Sequence, residues 1–380
     1  MKLVGERHTK HLLFIVSEDW YFVSHRLHLA VRAARDGYRV GVLCRVSSHR
    51  AFLEEIGLEV FAWTLQRRSR NPLAEWRAVC EVRAVLRSFQ PDLVHAVALK
   101  PVLYSALAAL GRPCGKVFAL GGLGFVFSSR QLLARTLRPV IAMALRMAFR
   151  GALSRLILQN PDDAALLLQA TSIAPEKVRL IRGAGVDVAA FAVTTEPQGK
   201  VLVVLPARML WDKGVGEFVQ AARILRERGV DARFALVGDR DEHNPACVPL
   251  HSLRAWEAEG IVECWGHCQD MPAILAQAHI VCLPSHREGL PKVLLEAASC
   301  ARPIVAFDVP GCRETVVPGS NGLLVPLGDV AALADAIEAL VADAPLRRRM
   351  GAQGRLMAER QFSQERVADQ TMHVWREVAA

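Results

Sequence analysis

Two glutamates eight residues apart, Glu288 and Glu296 in SHREGLPKVLLEAASCARPIV, straddle the point where the apolar strand IVCLPS (280–285) runs into a helix that Pro291 can begin. Glu296 falls in the second turn of that helix. It is the only acid between Gly289 and Val305, set among Leu294, Leu295, Ala297 and Ala298. A carboxylate in such company is costly to bury without a partner. A ribose, with two adjacent hydroxyls, would satisfy both of its oxygens. The unpaired N–H groups near Leu290 to Val293, with the positive end of the helix dipole, would face a phosphate, and Gly289 would allow close backbone approach. A structural Glu bonded to Arg302 or to backbone explains the same pattern, and this segment alone leaves both readings open.

A second strand-to-helix turn, VVLPARMLWDKGVGEFVQAARIL, sets Arg208 and Lys213 between a buried strand and a helix whose start Gly214 and Gly216 loosen. Cations placed there reach ligand phosphates; solvated surface cations are the ordinary alternative. Two cations and a Glu-x7-Glu at carboxyl-end turns of one unit favour a diphosphate site over coincidence.

These turns need a frame. Apolar runs alternate with helical patterns from the start: HLLFIV (11–16), a helix near 24–36, YRVGVLC (38–44), a helix near 49–57, LEVFAWT (58–64), a helix near 73–89 and DLVHAVA (92–98). Continuous apolar strands separated by helices imply parallel sheet covered on both faces. After KVRLIRG (177–183) the pattern loosens into AAFAVTTEPQGK, read as a linker. It restarts with VLVVLPA (201–207), RFALVG (233–238), IVECWG (261–266), IVCLPS, PIVAF (303–307) and GLLVP (322–326), with helices near 214–228, from 291 and through 329–360. At roughly 100–200 residues per domain, 380 residues hold two. The expectation is an α/β chain of two Rossmann-like, doubly wound parallel-sheet domains, 1–188 and 189–361, facing a cleft, with 362–380 as a last helix.

With 52% apolar and 22% charged residues, the chain is neither disordered nor collagen-like nor a disulfide miniprotein. Nine cysteines, an odd number found mostly inside apolar runs such as those of Cys44, Cys282 and Cys300, read as reduced core residues. The cluster Cys264-Trp-Gly-His267-Cys268 lacks a second ligand pair at zinc-like spacing and reads as a strand end and a turn. The first apolar run is broken too soon, by Ser17, Glu18 and Asp19, for a signal peptide, and no run reaches the roughly 18 residues of a spanning helix. The net charge of +9 comes from the first half, which has 27 Lys+Arg against 14 Asp+Glu up to residue 190, compared with 20 against 24 beyond it. Leu93 to Pro161 contains no acid at all. Within it, RQLLARTLRPVIAMALRMAFRGALSR sets Arg135, Arg138, Arg146 and Arg150 among Leu, Ile, Met and Phe. That basic amphipathic pattern suits an anionic membrane surface. A buried helix pair with snorkelling arginines is the alternative. A nucleic-acid surface would interleave exposed aromatics and fits less well.

The Arg208/Lys213 turn, EGLPKVLLE (288–296), ARPIVAFDVPGCRETV (301–316) and NGLLVP (321–326) resemble the retaining, nucleotide-sugar-dependent glycosyltransferases of family four, which have the two-domain GT-B fold. WYFVSHRL (20–27), DLVHAVALKPVLYSALAA (92–109), GGLGFVF (121–127), LILQNPDD (156–163) and RGAGVD (182–187) are similar to the branch that builds capsule, O-antigen or exopolysaccharide repeat units. The resemblance implies that Arg208 and Lys213 hold the donor diphosphate and stabilise the departing nucleoside diphosphate. It implies that Glu296 holds the ribose and Glu288 the donor-sugar hydroxyls, with Gly289 and Leu290 giving backbone contacts and Pro291 and Lys292 beside them. Relatives bind the donor mostly in the second domain and the acceptor in the first, and their last helix crosses back to the first. Many have a glycine pair in the first strand-to-helix turn. Here that turn reads SEDWYFVSHR, which leaves Ser24, His25 and Arg26 to fill its role. His95, read as ending a strand on the cleft side, joins Lys100, Gly122 and Gly124 as acceptor-side candidates; for His95 a bonded structural role is the alternative. Asp239-Arg-Asp241 imitates the metal-binding Asp-x-Asp of the other transferase fold, yet it follows RFALVG and reads as a loop with turn-forming acids. No metal or cofactor is expected.

The implied activity is retaining transfer of a sugar, an N-acetylated amino sugar on a UDP-linked donor, to a lipid diphosphate-linked saccharide on the inner face of the cytoplasmic membrane. No carboxylate is placed by spacing as a nucleophile, so same-face attack by the acceptor hydroxyl is the expected route. A sugar-nucleotide 2-epimerase of the same fold is one rival. A basic nucleic-acid-binding protein is another, and it leaves the Glu296 turn unexplained.

Overall fold

The computed structural model describes residues 10–66, 71–122, 127 and 132–379. They form two compact units. The first runs to Ala184 and takes up the chain again from Val367; the second is Gly185–Arg366.

The first unit is built on seven strands, β1 (Lys10–Glu18), β2 (Tyr38–Arg45), β3 (Glu59–Ala62), β4 (Leu93–Val97), β5 (Gly115–Leu120), β6 (Ser154–Leu158) and β7 (Val178–Leu180). All pair in parallel, in the order β3-β2-β1-β4-β5-β6-β7. Side chains alternate across a strand, so HLLFIV feeds two cores: Leu13 and Ile15 enter one, Leu12, Phe14 and Val16 the other. A strand covered on both sides has no need of polar alternation, and this is why the run reads as uninterrupted apolar sequence. The connecting helices are α1 (Asp19–His25), α2 (Leu27–Arg35), α3 (Arg50–Glu55), α4 (Pro72–Phe89), α5 (Leu99–Ala108), α6 (Leu132–Ala148) and α7 (Pro161–Thr171). Asn71 caps α4 by accepting from Leu73 N–H, with Pro72 in the first turn. The single helix expected near 24–36 is divided at Arg26, and β5 and β6 lie where the sequence reading named no strand.

The second unit has six parallel strands, β8 (Val201–Pro206), β9 (Ala232–Val237), β10 (Glu263–Gly266), β11 (Ile280–Leu283), β12 (Ile304–Phe307) and β13 (Gly322–Val325), in the order β10-β9-β8-β11-β12-β13. Its helices are α8 (Val215–Glu227), α9 (Leu250–Ala258), α10 (Met271–Gln277), α11 (Lys292–Ser299), α12 (Pro310–Arg313), α13 (Val330–Ala342) and α14 (Ala344–Met357). In each sheet the strand order reverses beside the unit's first strand, at β1/β4 and β8/β11. Ligands of open α/β sheets bind outside the carboxyl ends of the strands at such a point.

The last helix, α15 (Gln364–Val378), packs in the first unit from Val367 onward. Trp375 is fully buried there against Phe14, Tyr38 and His95. Glu377 accepts from Arg155 and Arg179, which together hold its carboxyl below the usual range. The stretch 189–200, read from sequence as a linker, is sewn to the second unit. Arg302 donates to the Thr194 carbonyl and hydroxyl, Arg347 pairs with Glu196, and Arg355 donates to the Val188 and Phe191 carbonyls.

His279 ties the same stretch down. Its Nδ1 accepts from Leu202 N–H at 3.1 Å and its Nε2 donates to the Pro197 carbonyl at 3.1 Å, an arrangement only the neutral ring can make. Burial holds its pKa below the ordinary histidine value, against the opposing pull of the Pro197 carbonyl. The unfolded chain therefore takes up a proton near the ordinary value that the folded chain refuses. Stability from this site is complete above that pH and is lost as pH falls through it. The denaturant midpoint is expected to drop between about pH 7.5 and about pH 5.5, and His279→Gln to flatten part of that drop. An unchanged slope in the variant would remove His279 as a source.

Candidate active site

At the β8/β11 reversal, the turn after β8 ends in a tight 3-10 turn (Trp211–Lys213), and Gly214, at φ +74°, opens α8. The turn after β11 lies against it. His286 N–H donates to the Asp212 carbonyl at 3.0 Å, the Ser285 hydroxyl donates to the same oxygen at 3.1 Å, and Gly214 sits directly on the Pro284 carbonyl. This stitching brings Lys213 and Glu288, 75 residues apart, into an ion pair that is largely shielded from solvent. Below them Gly311 is backed onto the Glu288 and Gly289 carbonyls, where a Cβ would lie 2.7 Å from each oxygen. The neighbouring Cys312 thiol is pushed up by burial and feels both Glu288 and Lys213.

Pro291 is the N-cap of α11 rather than its first residue, and it offers no side-chain oxygen to the helix's first N–H groups, those of Lys292 and Val293 among them. Leu290 is half-buried just before it. Glu296 is 7% exposed and accepts from Lys292 Nζ at 2.9 Å. Burial raises its pKa and Lys292 opposes the rise. The structural alternative that paired Glu296 with Arg302 does not hold, because the Arg302 guanidinium is taken up by Leu275, Ala276 and Thr194.

Arg208 is half-exposed and its Nη1 donates to Asp241 Oδ2 at 2.8 Å. The Asp239-Arg-Asp241 stretch lies in the loop after β9, where Asp241 holds Arg208 and Asp239 faces His267 at 3.5 Å. Cys264 and Cys268 point their thiols at separate carbonyls, those of Leu253, Trp265 and Gly266. Sequence reasoning also missed the contact between His286 Nε2 and Glu217 Oε1 at 2.6 Å, which ties the turn after β11 to the first turn of α8 as well. Its only signal was that each residue adjoins a motif already singled out.

In the first unit, Ser24 and His25 close α1. The Ser24 hydroxyl lies 2.6 Å from His25 Nδ1, and the His25 ring stacks on Tyr21 at 4.4 Å between centroids. Gly121, which follows β5, approaches the same corner: a Cβ there would be 3.5 Å from Gln159 Nε2 and 3.8 Å from the Tyr21 hydroxyl. Gly122 follows in an extended positive-φ conformation, and Gly124 lies outside the described residues. Asp19 is buried, and burial alone would raise its pKa. Hydrogen bonds from Ser47, His49 and Trp20 outweigh that and hold it at about 2, and Ser48 N–H donates to it as well. Lys100 opens α5 and pairs with Glu75 at 2.8 Å. His95 corrects the expectation: it is the third residue of five in β4, not its end, and it is buried under α15 because Trp375 covers it.

On α6, Ala142 and Leu145, with Phe149 just beyond the helix, face the core, while Leu137, Val140, Met143 and Met147 are exposed. At 100° per residue, Arg135 and Arg146 fall within about 20° of each other, beside the Met143, Met147 and Val140 strip. Arg150, just past the helix, is exposed, and Arg138 is half-buried.

Residues 200–343 match the family model described as "Glycosyl transferases group 1", and residues 11–160 match "Glycosyl transferase 4-like". The N,N'-diacetylbacillosaminyl-diphospho-undecaprenol alpha-1,3-N-acetylgalactosaminyltransferase of Campylobacter jejuni is 30% identical over 309 residues, 78% of this chain and 80% of that protein. The capsular polysaccharide biosynthesis glycosyltransferase CapM of Staphylococcus aureus is 28% identical over 42% of this chain and 41% of its own length. Among solved structures, Anabaena HepE in complex with UDP superposes with a TM-score of 0.77, at 20% identity, covering 96% of this chain and 99% of HepE. The paired parallel sheets are those of the GT-B fold, and the chain belongs to the group 1, family-four-like glycosyltransferases.

Proposed function

We propose that this enzyme moves a sugar, with retention and without a metal, from a UDP-linked donor to a lipid diphosphate-linked saccharide in bacterial surface polysaccharide synthesis, working at the inner face of the cytoplasmic membrane. The observation that carries the reading is the convergence of Lys213 and Glu288 from two carboxyl-end turns at the β8/β11 reversal, with Arg208 on the first turn and the uncapped α11 on the second. The name of the Campylobacter relative supports a lipid-linked acceptor and an N-acetylated amino sugar, and the UDP in HepE supports the donor base.

As the glycosidic bond breaks, positive charge grows on the sugar ring and negative charge on the leaving oxygen. Lys213, Arg208 and the first N–H groups of α11 stabilise that oxygen as fixed charges and dipoles. Each cation already has an internal carboxylate partner, Glu288 or Asp241, so a diphosphate enters by exchange and meets side chains held in place. Glu288, released from Lys213, accepts from donor-sugar hydroxyls, and Glu296 from the ribose. The leaving phosphate takes the proton of the attacking acceptor hydroxyl, which needs no enzymatic nucleophile.

A panel of nucleotide sugars is expected to raise the melting temperature for UDP-linked donors, and product to appear only when a lipid diphosphate-linked saccharide is supplied. Conversion of the donor with no acceptor present would instead establish an epimerase. For the membrane surface, no described helix is long and apolar enough to cross a bilayer. The exposed Met143, Met147 and Val140 strip beside Arg135 and Arg146 fits one lying in the interface. Replacing Arg135, Arg138 and Arg146 with Glu is expected to release the protein from vesicles containing anionic lipid while UDP binding stays as in the parent. Unchanged vesicle binding would refute this placement.

A further inference from the structure

Lys213 and Glu288 are joined by a second pair close by. Four residues after Lys213, Glu217 stands in the first turn of α8; two residues before Glu288, His286 stands in the turn after β11. His286 Nε2 lies 2.6 Å from Glu217 Oε1, and because a carboxylate only accepts, the ring donates. The two pairs differ in their surroundings. The Lys213 and Glu288 side chains are 23% and 10% exposed, whereas those of His286 and Glu217 are 43% and 21% exposed. A pair as open to water as the second adds little to stability.

Its use lies in how the turn after β11 is held. His286 N–H and the Ser285 hydroxyl both end on one atom, the Asp212 carbonyl oxygen, so they fix a point of the turn rather than its orientation. The His286 side chain supplies a second point: its ring leans on Phe307, 6.3 Å between centroids, and its tip is held by Glu217. In the proposed reaction Lys213 exchanges Glu288 for the donor diphosphate. The ion pair that joined the segments is thus given up just when Glu288 must meet the donor sugar, and the Glu217–His286 bond has no part in that exchange. We infer that Glu217 and His286 are positioning residues, which keep the Glu288 turn in register while the diphosphate occupies Lys213. The inference rests on the transferase reading and assigns the pair to the sugar end of the donor. Lys213 belongs to a turn closed by its own backbone bonds, Lys213 N–H to the Leu210 carbonyl and Gly214 N–H to that of Trp211, so UDP meets the same cation with or without the pair.

The test compares full-length Glu217→Ala, His286→Ala, the double variant and Glu217→Gln with the parent, once transfer by the parent has been measured. Each alanine variant is expected to lower kcat about tenfold, a misplacement of well under 1 Å. UDP, which lacks the sugar, is expected to bind within about twofold of the parent in all four. Melting temperatures without ligand are expected to stay within about 3 °C of the parent's. The double variant is expected to be no slower than the slower single one, since the two residues share one task. Glu217→Gln keeps the accepting oxygen and is expected to recover most of the loss. If Glu217→Ala does not fold, His286→Ala breaks the same bond from the other side. Parental kcat in the alanine variants overturns the inference. So does UDP binding that falls together with the melting temperature, the mark of a structural brace. Losses that multiply in the double variant, or a His286→Ala loss far beyond that of Glu217→Ala, would make the histidine act by itself and overturn it too. A parent that transfers no sugar removes the transferase reading and this inference with it, whereas a working parent with indifferent variants removes the inference alone.

Discussion

Lys213→Ala is expected to lower kcat/KM by about 10²–10³-fold, the size of effect seen when one preorganised donor to a developing oxyanion is removed. The ammonium belongs to a 3-10 turn fastened to the neighbouring loop by two hydrogen bonds to the Asp212 carbonyl, so its position is set before a ligand arrives. Removing it has a second effect, since Glu288 is then left shielded and unpaired, at a cost of about 1–3 kcal/mol. The two effects separate in the double variant. Glu288→Gln on top of Lys213→Ala is expected to recover most of the stability and none of the turnover. Steady-state kinetics and denaturant melts on the same preparations decide it. A variant with parental kcat/KM and reduced stability would make Lys213 a structural partner of Glu288 only. Arg208, more exposed and paired across to Asp241, is expected to give a smaller loss on truncation.

What the sequence made legible follows from what has a period or a covered face. HLLFIV, VLVVLP and IVCL are buried on both sides, so their apolar runs announce strands. The β10 strand, ECWG, lies at a sheet edge and is only half-buried, so its strand character shows only through the preceding Ile261 and Val262. Lys213 and Glu288 could be placed together because each stands in a turn at the carboxyl end of an adjacent strand. The partners Asp241 and His286 could not, since pairing between loops is set by loop conformation, which leaves no spacing to read. His95 was misplaced for a related reason: its environment is made by Trp375, 280 residues further along the chain. Arg26 was named with Ser24 and His25 as filling the first strand-to-helix turn, but its burial at the break between α1 and α2 left no trace in the spacing.

Gly214→Ala is expected to be the most damaging single-methyl change in the second unit. At φ +74° an alanine is already strained, and its Cβ would lie 1.9 Å from the Pro284 carbonyl oxygen and 2.5 Å from its carbon, backbone atoms that cannot rotate away. The two turns must therefore part. Parting them breaks the bonds of His286 N–H and the Ser285 hydroxyl to Asp212, and with them the approach of Lys213 to Glu288. Strain at a positive φ adds to these losses, for an expected destabilisation of about 3 kcal/mol or more. Activity should fall further than stability predicts, because displacement by about 1 Å of Lys213, the cation proposed to meet the leaving oxygen, is enough to cost about 10²-fold. Gly216→Ala is the matched control. That glycine has no positive φ, and its Cβ would press only on the edge of the half-exposed Trp211 ring at 3.1 Å, a side chain able to yield. In α8 the added methyl also favours the helix, so the control is expected to stay within about 1 kcal/mol of the parent. Denaturant melts of the two variants, read beside their turnover with UDP-linked donor, test whether contact between these turns holds Lys213 in register. Equal stability of Gly214→Ala and Gly216→Ala would mean that it does not.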